Sequence, residues 1–418
     1  MEEQRGHEKD KIASSFSSER ESKRGRREVT EIIINDDALE EIMLRLPVKS
    51  LISFQAVSKH WRRMITLNSF RERYMLHQKT TLEPKFLCVY DDIDWYKASY
   101  ALKEMRLEWS SACLVEVEEE EDYHISNDEQ EDVIVSKSLD GLFCFYGRAN
   151  FKNPIKVINP STRWSLTLPL ARIQLVHSDN KVEFSQPGFG RDYVTGAYKL
   201  VWLHNIKDKN ISSCEVFDFG VKEWRHVTSP PYHRIDHNQE ATFANGWLYW
   251  FTHEKTKLIA FDLHMEMFQV VPNPIIEASS SSSSSSYISM HMCSLDYDRG
   301  LLNISVTNGD GMQHVWRVTN HNTGGVLLKT NKIFSFDLNK ITSTWFEETH
   351  YKSSLLGLMV VSKKGNKVML AKYGSDKLLL YQPLTPNSIM NRIFSYSPSR
   401  PSDDSVFLHY FPSLACPL

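Results

Sequence analysis

The sequence predicts a chain of α+β class, with a small three-helix module followed by a large all-β, propeller-like domain. Three observations carry that prediction. Apolar residues between positions 39 and 65 recur at three- and four-residue spacing, the period of one helix face. From position 85 onward that spacing gives way to short runs rich in Val, Ile, Tyr, Phe and Trp between turn residues. The β-rich part is roughly 330 residues long, more than one sandwich needs and suited to a ring of blades.

The first helix is expected where Leu39, Ile42, Met43 and Leu46 share one face. Asn35 and Asp36 stand where a cap belongs, and Asp37, Glu40 and Glu41 suit the positive end of the helix dipole. Pro47 is expected to stop this helix and to open the next, on which Val48, Leu51 and Phe54 form a second stripe. Ser58 offers a cap for a third helix, with Trp61, Met64 and Ile65 on one side and Lys59, Arg62 and Arg63 on the other. Three short helices make a very small core, and no cysteine precedes Cys88 to staple it. Such a module is expected to complete its packing on another protein.

Leu39, Ile42, Leu46-Pro47-Val48-Lys49-Ser50-Leu51, Phe54, Val57-Ser58-Lys59 and Trp61-Arg62 together resemble the F-box, above all that of plant F-box proteins. One departure stands out: the family usually opens with Leu-Pro, and here the pair is Ile34-Asn35. The resemblance implies docking on a Skp-family adaptor, and through it on cullin and RING subunits of a ubiquitin ligase. It assigns the adaptor contact to Leu39, Ile42, Leu46, Pro47, Val48, Leu51, Phe54, Val57 and Trp61.

The expected organisation is a disordered tail over 1–30, the F-box over 31–75, a linker over 76–85 and the β-domain over 86–418. The tail is polar and charged and cannot bury enough surface to order itself. Its Lys23, Arg24, Arg26 and Arg27 suit a solvated tail better than a nuclear-import signal. A hydrophobic content of 41% allows a large core, and a net charge of −3 gives no argument for nucleic acid or membrane partners. The six cysteines are widely spaced without a C-x-x-C pair, as in an intracellular protein of the nucleus or cytoplasm. No signal peptide or membrane-spanning run is evident.

Several β-runs share a design in which a strand ends in Asn or Asp, a turn follows, and an aromatic or apolar residue resumes. Asn159, Asp218, Asp262 and Asp337 hold this place at intervals of about 59, 44 and 75 residues. The C-terminal run Val406–Phe411 is apolar and aromatic, which predicts that it closes the ring on an early strand such as 85–90 or 141–146. Acidic 116–132 and the serine run 279–286 read as solvated insertions.

A second resemblance lies in Ser138-Leu139-Asp140-Gly141-Leu142, Asn159-Pro160-Ser161-Thr162, Gly188-Phe189-Gly190-Arg191-Asp192 with Tyr198-Lys199, Asn245-Gly246-Trp247-Leu248-Tyr249-Trp250, and Phe261-Asp262-Leu263 with Glu266 and Phe268. These are similar to segments of the F-box-associated domain of plant F-box proteins. That implies a kelch-like or propeller-like domain used for interaction rather than catalysis.

A search for chemistry finds no catalytic, cofactor-binding or metal set. The third glycine of Gly188–Gly196 is misplaced for a dinucleotide fingerprint, and the stretch reads as a turn into Tyr198. His233 and His237 follow Pro230-Pro231 and read as a loop rather than ligands. Cys144 and Cys214 read as inert core thiols. Trp202, Trp224, Trp247, Trp250 and Trp316 read mainly as core, with some as candidates for a binding face. The expectation is therefore a non-catalytic, cofactor-free substrate receptor of a Skp–cullin–F-box ligase, holding an unidentified target on its β-domain. The rival readings are an adaptor-bound scaffold without a degraded target, and a β-propeller enzyme or lectin.

Overall fold

The structure, a computed structural model, describes residues 35–417 apart from 95–96, 109–112, 117–122, 128–132, 148–152, 177–181, 184, 208–211, 238, 280–286, 295–299, 323–325, 339–355, 362–367, 373–376, 382–391 and 396–405. The expected tail, Ile34, and the serine run beyond Ser279 lie outside the described residues. The chain divides into two compact units, 1–45 and 46–418.

In the first unit, α1 (Asp36–Met43) begins at Asn35, whose side-chain oxygen accepts the Ala38 N–H at 2.7 Å. The departure from Leu-Pro thus supplies a capping side chain. Leu39 and Met43, four apart, are buried, while Ile42 remains exposed. The helix ends at Met43 and the chain turns at Leu44 and Arg45. This corrects two expectations: Leu46 is not on the first helix, and Pro47 is not what stops it.

In the second unit, Pro47 takes the N-cap position of α2 (Val48–Phe54) in an extended conformation, and Val48 and Leu51 are buried. α3 (Lys59–Thr66) begins at Ser58, whose hydroxyl accepts the Trp61 N–H at 3.1 Å. The Phe54 and Trp61 rings meet edge to face at 5.2 Å, fixing α2 against α3. A fourth helix, α4 (Asn68–Thr81), occupies the stretch 67–85 expected as a connection into which Phe70 and Tyr74 could extend the third helix, so the three-helix expectation is corrected to four. Its Phe70, Tyr74, Met75 and Gln78 are buried, and the Tyr74 hydroxyl donates to the Leu46 carbonyl at 2.8 Å. Burial pushes the Tyr74 phenol far above its usual pKa, so it stays a donor.

Among the described residues the strands form six antiparallel sheets. The chain first lays down β1 (Lys85–Asp94), β2 (Lys97–Glu108), β3 (Cys113–Glu116) and β4 (Tyr123–Asn127), the last paired beside β2. β4 lies within the acidic stretch read as a loop, because its Tyr123 and Ile125 join the β2 ladder. The second blade is β5 (Val133–Val135), β6 (Phe143–Gly147), β7 (Lys156–Asn159) and β8 (Trp164–Thr167). After α5 (Arg172–Val176) come β9 (Val182–Glu183), β10 (Gly188–Arg191), β11 (Tyr198–Ile206), β12 (Ser212–Asp218) and β13 (Glu223–His226). The fourth blade is β14 (Thr242–Ala244), β15 (Trp247–Phe251), β16 (Lys257–Asp262) and β17 (Met267–Pro272). Beyond α6 (Pro274–Ser279), the fifth is β18 (Tyr287–Ser294), β19 (Leu302–Asn308), β20 (Met312–Asn322) and β21 (Val326–Asp337). The sixth is β22 (Leu356–Val361), β23 (Val368–Lys372), β24 (Lys377–Tyr381) and β25 (Arg392–Ser395). The last strand, β26 (Val406–Tyr410), returns to pair with β1, from Lys85↔Tyr410 to Val89↔Val406.

This is a propeller-like ring. The first strands of successive blades touch, from β10 to β14, β18, β22 and finally β26. Apolar side chains fill the seams. Leu87, Phe143, Ile158 and Tyr410 join the first and second blades. Leu142, Val157, Leu200 and Trp202 join the second and third. Val216, Leu248, Trp250 and Phe261 join the third and fourth, and Phe251, Ile275, Met290 and Ile304 the fourth and fifth. The terminal strand covers the inner edge of β1 and completes the first blade. The C-terminal run therefore does what its composition predicted.

Three expected Asx turns are present. Asn159, Asp218 and Asp262 each accept the N–H two residues on, at 3.1, 2.8 and 2.8 Å. Each turn then needs a left-handed residue, Arg163, Lys222 or Glu266. Asp337 differs: it ends β21, an outermost strand, so it was not equivalent to the other three.

Candidate docking surfaces

The nine residues assigned to the adaptor contact fall into different environments. Leu39 in the first unit and Val48 and Leu51 in the second are buried. Leu46, Phe54 and Trp61 are half-buried. Ile42 in the first unit is exposed, and so are Pro47 and Val57 in the second. Val57 is 61% exposed and Ile52, which the sequence reading missed, is 37% exposed. Ile52 stands four residues after Val48, at the edge of the Val48/Leu51 stripe, so side-chain period alone did not mark it as exposed. The α2–α3 segment thus presents Pro47, Ile52 and Val57 to solvent around a small filled core.

The second unit also shows how the signature segments of the β-domain work. Asp140 sits in a left-handed turn and is the hub between α4 and the ring. Lys79 donates to its Oδ1 at 2.9 Å, the Tyr198 hydroxyl to its Oδ2 at 3.0 Å, and Arg191 lies 3.8 Å away. Arg191 also pairs with Glu72 of α4 and lies over the Tyr198 ring. Burial by itself pushes the Asp140 carboxyl up, but Lys79 and Arg191 with the two hydrogen bonds overcome it and hold the pKa below the usual range. The neighbouring Gly141 takes φ +80°, and a β-carbon there would lie 2.7 Å from the Phe411 carbonyl oxygen. Asn159 Nδ2 donates to the Ser413 and Ala415 carbonyls at 3.1 and 3.0 Å. Two family segments therefore clamp the returning C-terminus.

In the third segment, Gly190 leaves room for Leu263 and Phe243 of the next blade. Asp192 accepts from the Val194 N–H at 2.8 Å and the Thr195 hydroxyl at 2.7 Å, with His264 at 3.1 Å. Burial opposes ionisation of Asp192, yet these hydrogen bonds bring its pKa down to about 2. Lys199 reaches across to Glu266 at 2.7 Å, and Glu266 also pairs with Arg225.

Beside α4 lies a pocket of about 890 Å³, lined by α4, by the second-blade turn and by the third- and fourth-blade inner strands. None of the five tryptophans considered for a binding face lines it. Trp202 and Trp250 are core, and Trp224 packs on Trp202 and donates to the Pro169 carbonyl at 2.7 Å. Cys144 and Cys214 are fully enclosed, and burial pushes both thiols far up, which makes them inert as expected. Among the described residues no group of three or more His, Cys, Asp and Glu side chains could hold a metal ion. No helix among them is long and apolar enough to cross a membrane.

Comparison with known proteins matches residues 33–73 to the F-box domain and residues 100–297 to the F-box associated beta propeller domain. A probable F-box protein of Arabidopsis thaliana is 47% identical over 201 residues, 46% of this chain and 96% of the relative. Another Arabidopsis thaliana F-box protein is 30% identical over 417 residues, 91% of this chain and 96% of its own length. A putative F-box/kelch-repeat protein of the same plant is 33% identical over 300 residues, 68% of this chain and 67% of the relative. Among solved structures, a β-propeller domain from Myceliophteria thermophila aligns with a TM-score of 0.34 at 9% identity, covering 70% of this chain and 82% of that one. The chain belongs to the plant F-box proteins whose F-box is followed by an F-box-associated β-propeller domain.

Proposed function

We propose that this chain is the substrate-recognition subunit of a Skp–cullin–F-box ubiquitin ligase. The F-box docks on the Skp-family adaptor, and the β-domain holds a target protein. The observation that carries the reading is the apolar set Pro47, Ile52 and Val57, left exposed by a module of the matched family. A small module that leaves such side chains in water is stabilised by a partner that covers them. The receptor performs no bond chemistry: it raises the effective concentration of target lysines near the ubiquitin-carrying enzyme.

The test is adaptor pulldown with the full chain. The double change Leu46→Ala with Pro47→Ala should abolish it while the β-domain stays soluble. Wild-type adaptor binding by that variant sinks the assignment. Accumulation of a bound target when the receptor is lost separates the receptor from a scaffold without a degraded target.

A further inference from the structure

Ion pairs join α4 to the ring, where the blades are joined to one another by apolar seams. The four seams described above include no residue of α4. Glu72 and Lys79, seven apart on one face of the helix, meet the ring: Glu72 pairs with Arg191, and Lys79 with Asp140 at 2.9 Å. Leu76 stands between them on the same face and is 63% exposed. The contact is flanked by open space. A second pocket, of about 210 Å³, shares Glu72, Asp140 and Arg191 with the larger one.

Opening this contact strands no charge. Asp140 keeps the Tyr198 hydroxyl at 3.0 Å and Arg191 at 3.8 Å, both within the ring. Arg191 keeps the Gly196 carbonyl at 3.0 Å and the face of the Tyr198 ring at 5.5 Å. On the helix side, the Glu72 and Lys79 side chains are 56% and 24% exposed, so water replaces the lost partner. Breaking a buried ion pair is costly when the charge left behind has no substitute, and here each charge has one. Asn159 is the opposite case. It is fully buried, and its amide nitrogen donates to the Ser413 and Ala415 carbonyls, so that junction cannot part without leaving it unsatisfied. Between α4 and β1 run Leu82, Glu83 and Pro84, of which Leu82 and Glu83 are exposed and able to turn as a hinge.

We propose that Glu72 and Lys79 form a releasable latch on the Asp140–Arg191 pair, and that helices α2–α4 swing on the ring about residues 82–84 when it opens. Partly wet ion pairs hold weakly, and polar junctions between compact parts permit relative motion. The latched state fixes the exposed side chains of α2–α3 at one distance from the ring. The open state widens the range of distances. A receptor that works by effective concentration brings more target lysines within reach when that range is wide. This consequence, though not the latch itself, rests on the receptor reading.

The experiment measures, by double electron–electron resonance on the full chain, the distance between spin labels at Arg63→Cys on α3 and Met267→Cys on β17, both exposed. Cys113 and Cys416 are changed to Ser, and the other four cysteines are buried. With the latch intact, low salt should give one main distance. Glu72→Gln with Lys79→Met should raise the share of molecules outside that distance about fivefold or more, while the melting temperature of the ring stays within about 2 °C. Raising salt to about 1 M should act in the same direction, because the Debye length falls to about 3 Å and the exposed Glu72 pair is screened. Glu223→Gln, exposed on β13 and outside the contact, should leave the distance unchanged. A double variant as narrow as the intact latch, an intact latch already as broad as the variant, or a ring that melts several degrees lower in the variant would overturn the proposal. If the double variant does not fold, the salt series decides alone, and one main distance at both salt levels overturns it. Adaptor pulldown is measured on the same preparations. Adaptor binding with one fixed distance removes only the latch, whereas a working latch without adaptor binding removes the receptor reading.

Discussion

The α2–α3 segment and the ring treat the same kinds of side chain in opposite ways. The ring encloses even its largest residues: Trp202, Trp250, Phe217, Phe261 and Tyr410 are almost wholly buried. The helical segment buries Val48 and Leu51 but leaves Ile52 and Val57 in water. Surface-to-volume scaling accounts for the difference. A few short helices cannot wrap all their apolar side chains, whereas a closed ring of blades buries each sheet on its neighbour. An exposed apolar residue in the small module therefore signals a partner, while an apolar residue in the ring signals a seam.

The largest expected effect tests the seam. Removing residues 406–418 deletes β26, the Tyr410 contact with Phe143 and the Ser413 and Ala415 carbonyls held by Asn159. The β-domain should lose its cooperative melting transition, while a fragment limited to the F-box still pulls down the adaptor. A truncated chain that melts like the full one would mean that closure adds nothing.

Next comes Leu51→Ala, which should lower stability by about 2–5 kcal/mol because Leu51 is fully buried. Chemical denaturation measures it. A loss below about 1 kcal/mol would place Leu51 among the partner-facing residues instead.

A smaller effect is expected at the hub. Asp140→Asn keeps the shape but removes the charge that Lys79 and Arg191 share, and should lower the melting temperature by several degrees. The same hub sets a pH dependence. The carboxyl pKa values of Asp140 and Asp192 are depressed by folding, to about 2 for Asp192. Their contribution is complete above the unfolded carboxyl value of about 4 and fades as pH falls through the folded values. Thermal melts from pH 6 down to pH 2 should show it, with Asp140→Asn flattening the curve. An unchanged slope in that variant would place the acid sensitivity elsewhere.

The smallest effect on stability sharpens the comparison from the other side. Val57→Asp should shift stability by no more than about 0.5 kcal/mol, because the side chain is 61% exposed. It should nonetheless abolish adaptor pulldown. A variant that binds normally would remove Val57 from the interface.

Much of this was written in local chemistry. Asn35 and Ser58 cap their helices as their position before each apolar run implied, because a cap needs only its own next turn. Asn159, Asp218 and Asp262 open their turns for the same reason. The apolar run at Val406–Phe411 announced a docking strand, since such side chains at a chain end must be covered. By contrast, α4 was read as a connection that at most extends the third helix. The residues it buries (Phe70, Tyr74, Met75 and Gln78) include a polar Gln78, and its exposed Leu76 blurs the stripe.

What the tertiary structure alone decided is long-range. Asp140 and Lys79 are 61 positions apart, and Asn159 and Ser413 are 254 apart, so no local period could pair them. The same holds for the pocket, where Leu76, Thr242 and Lys137 come from three separate elements. Sequence by itself determined where the first three helices begin and where many of the strands lie, because capping, turn chemistry and side-chain period act within a few residues. Which blade meets which and which apolar side chains stay in water depend on how those elements close on one another.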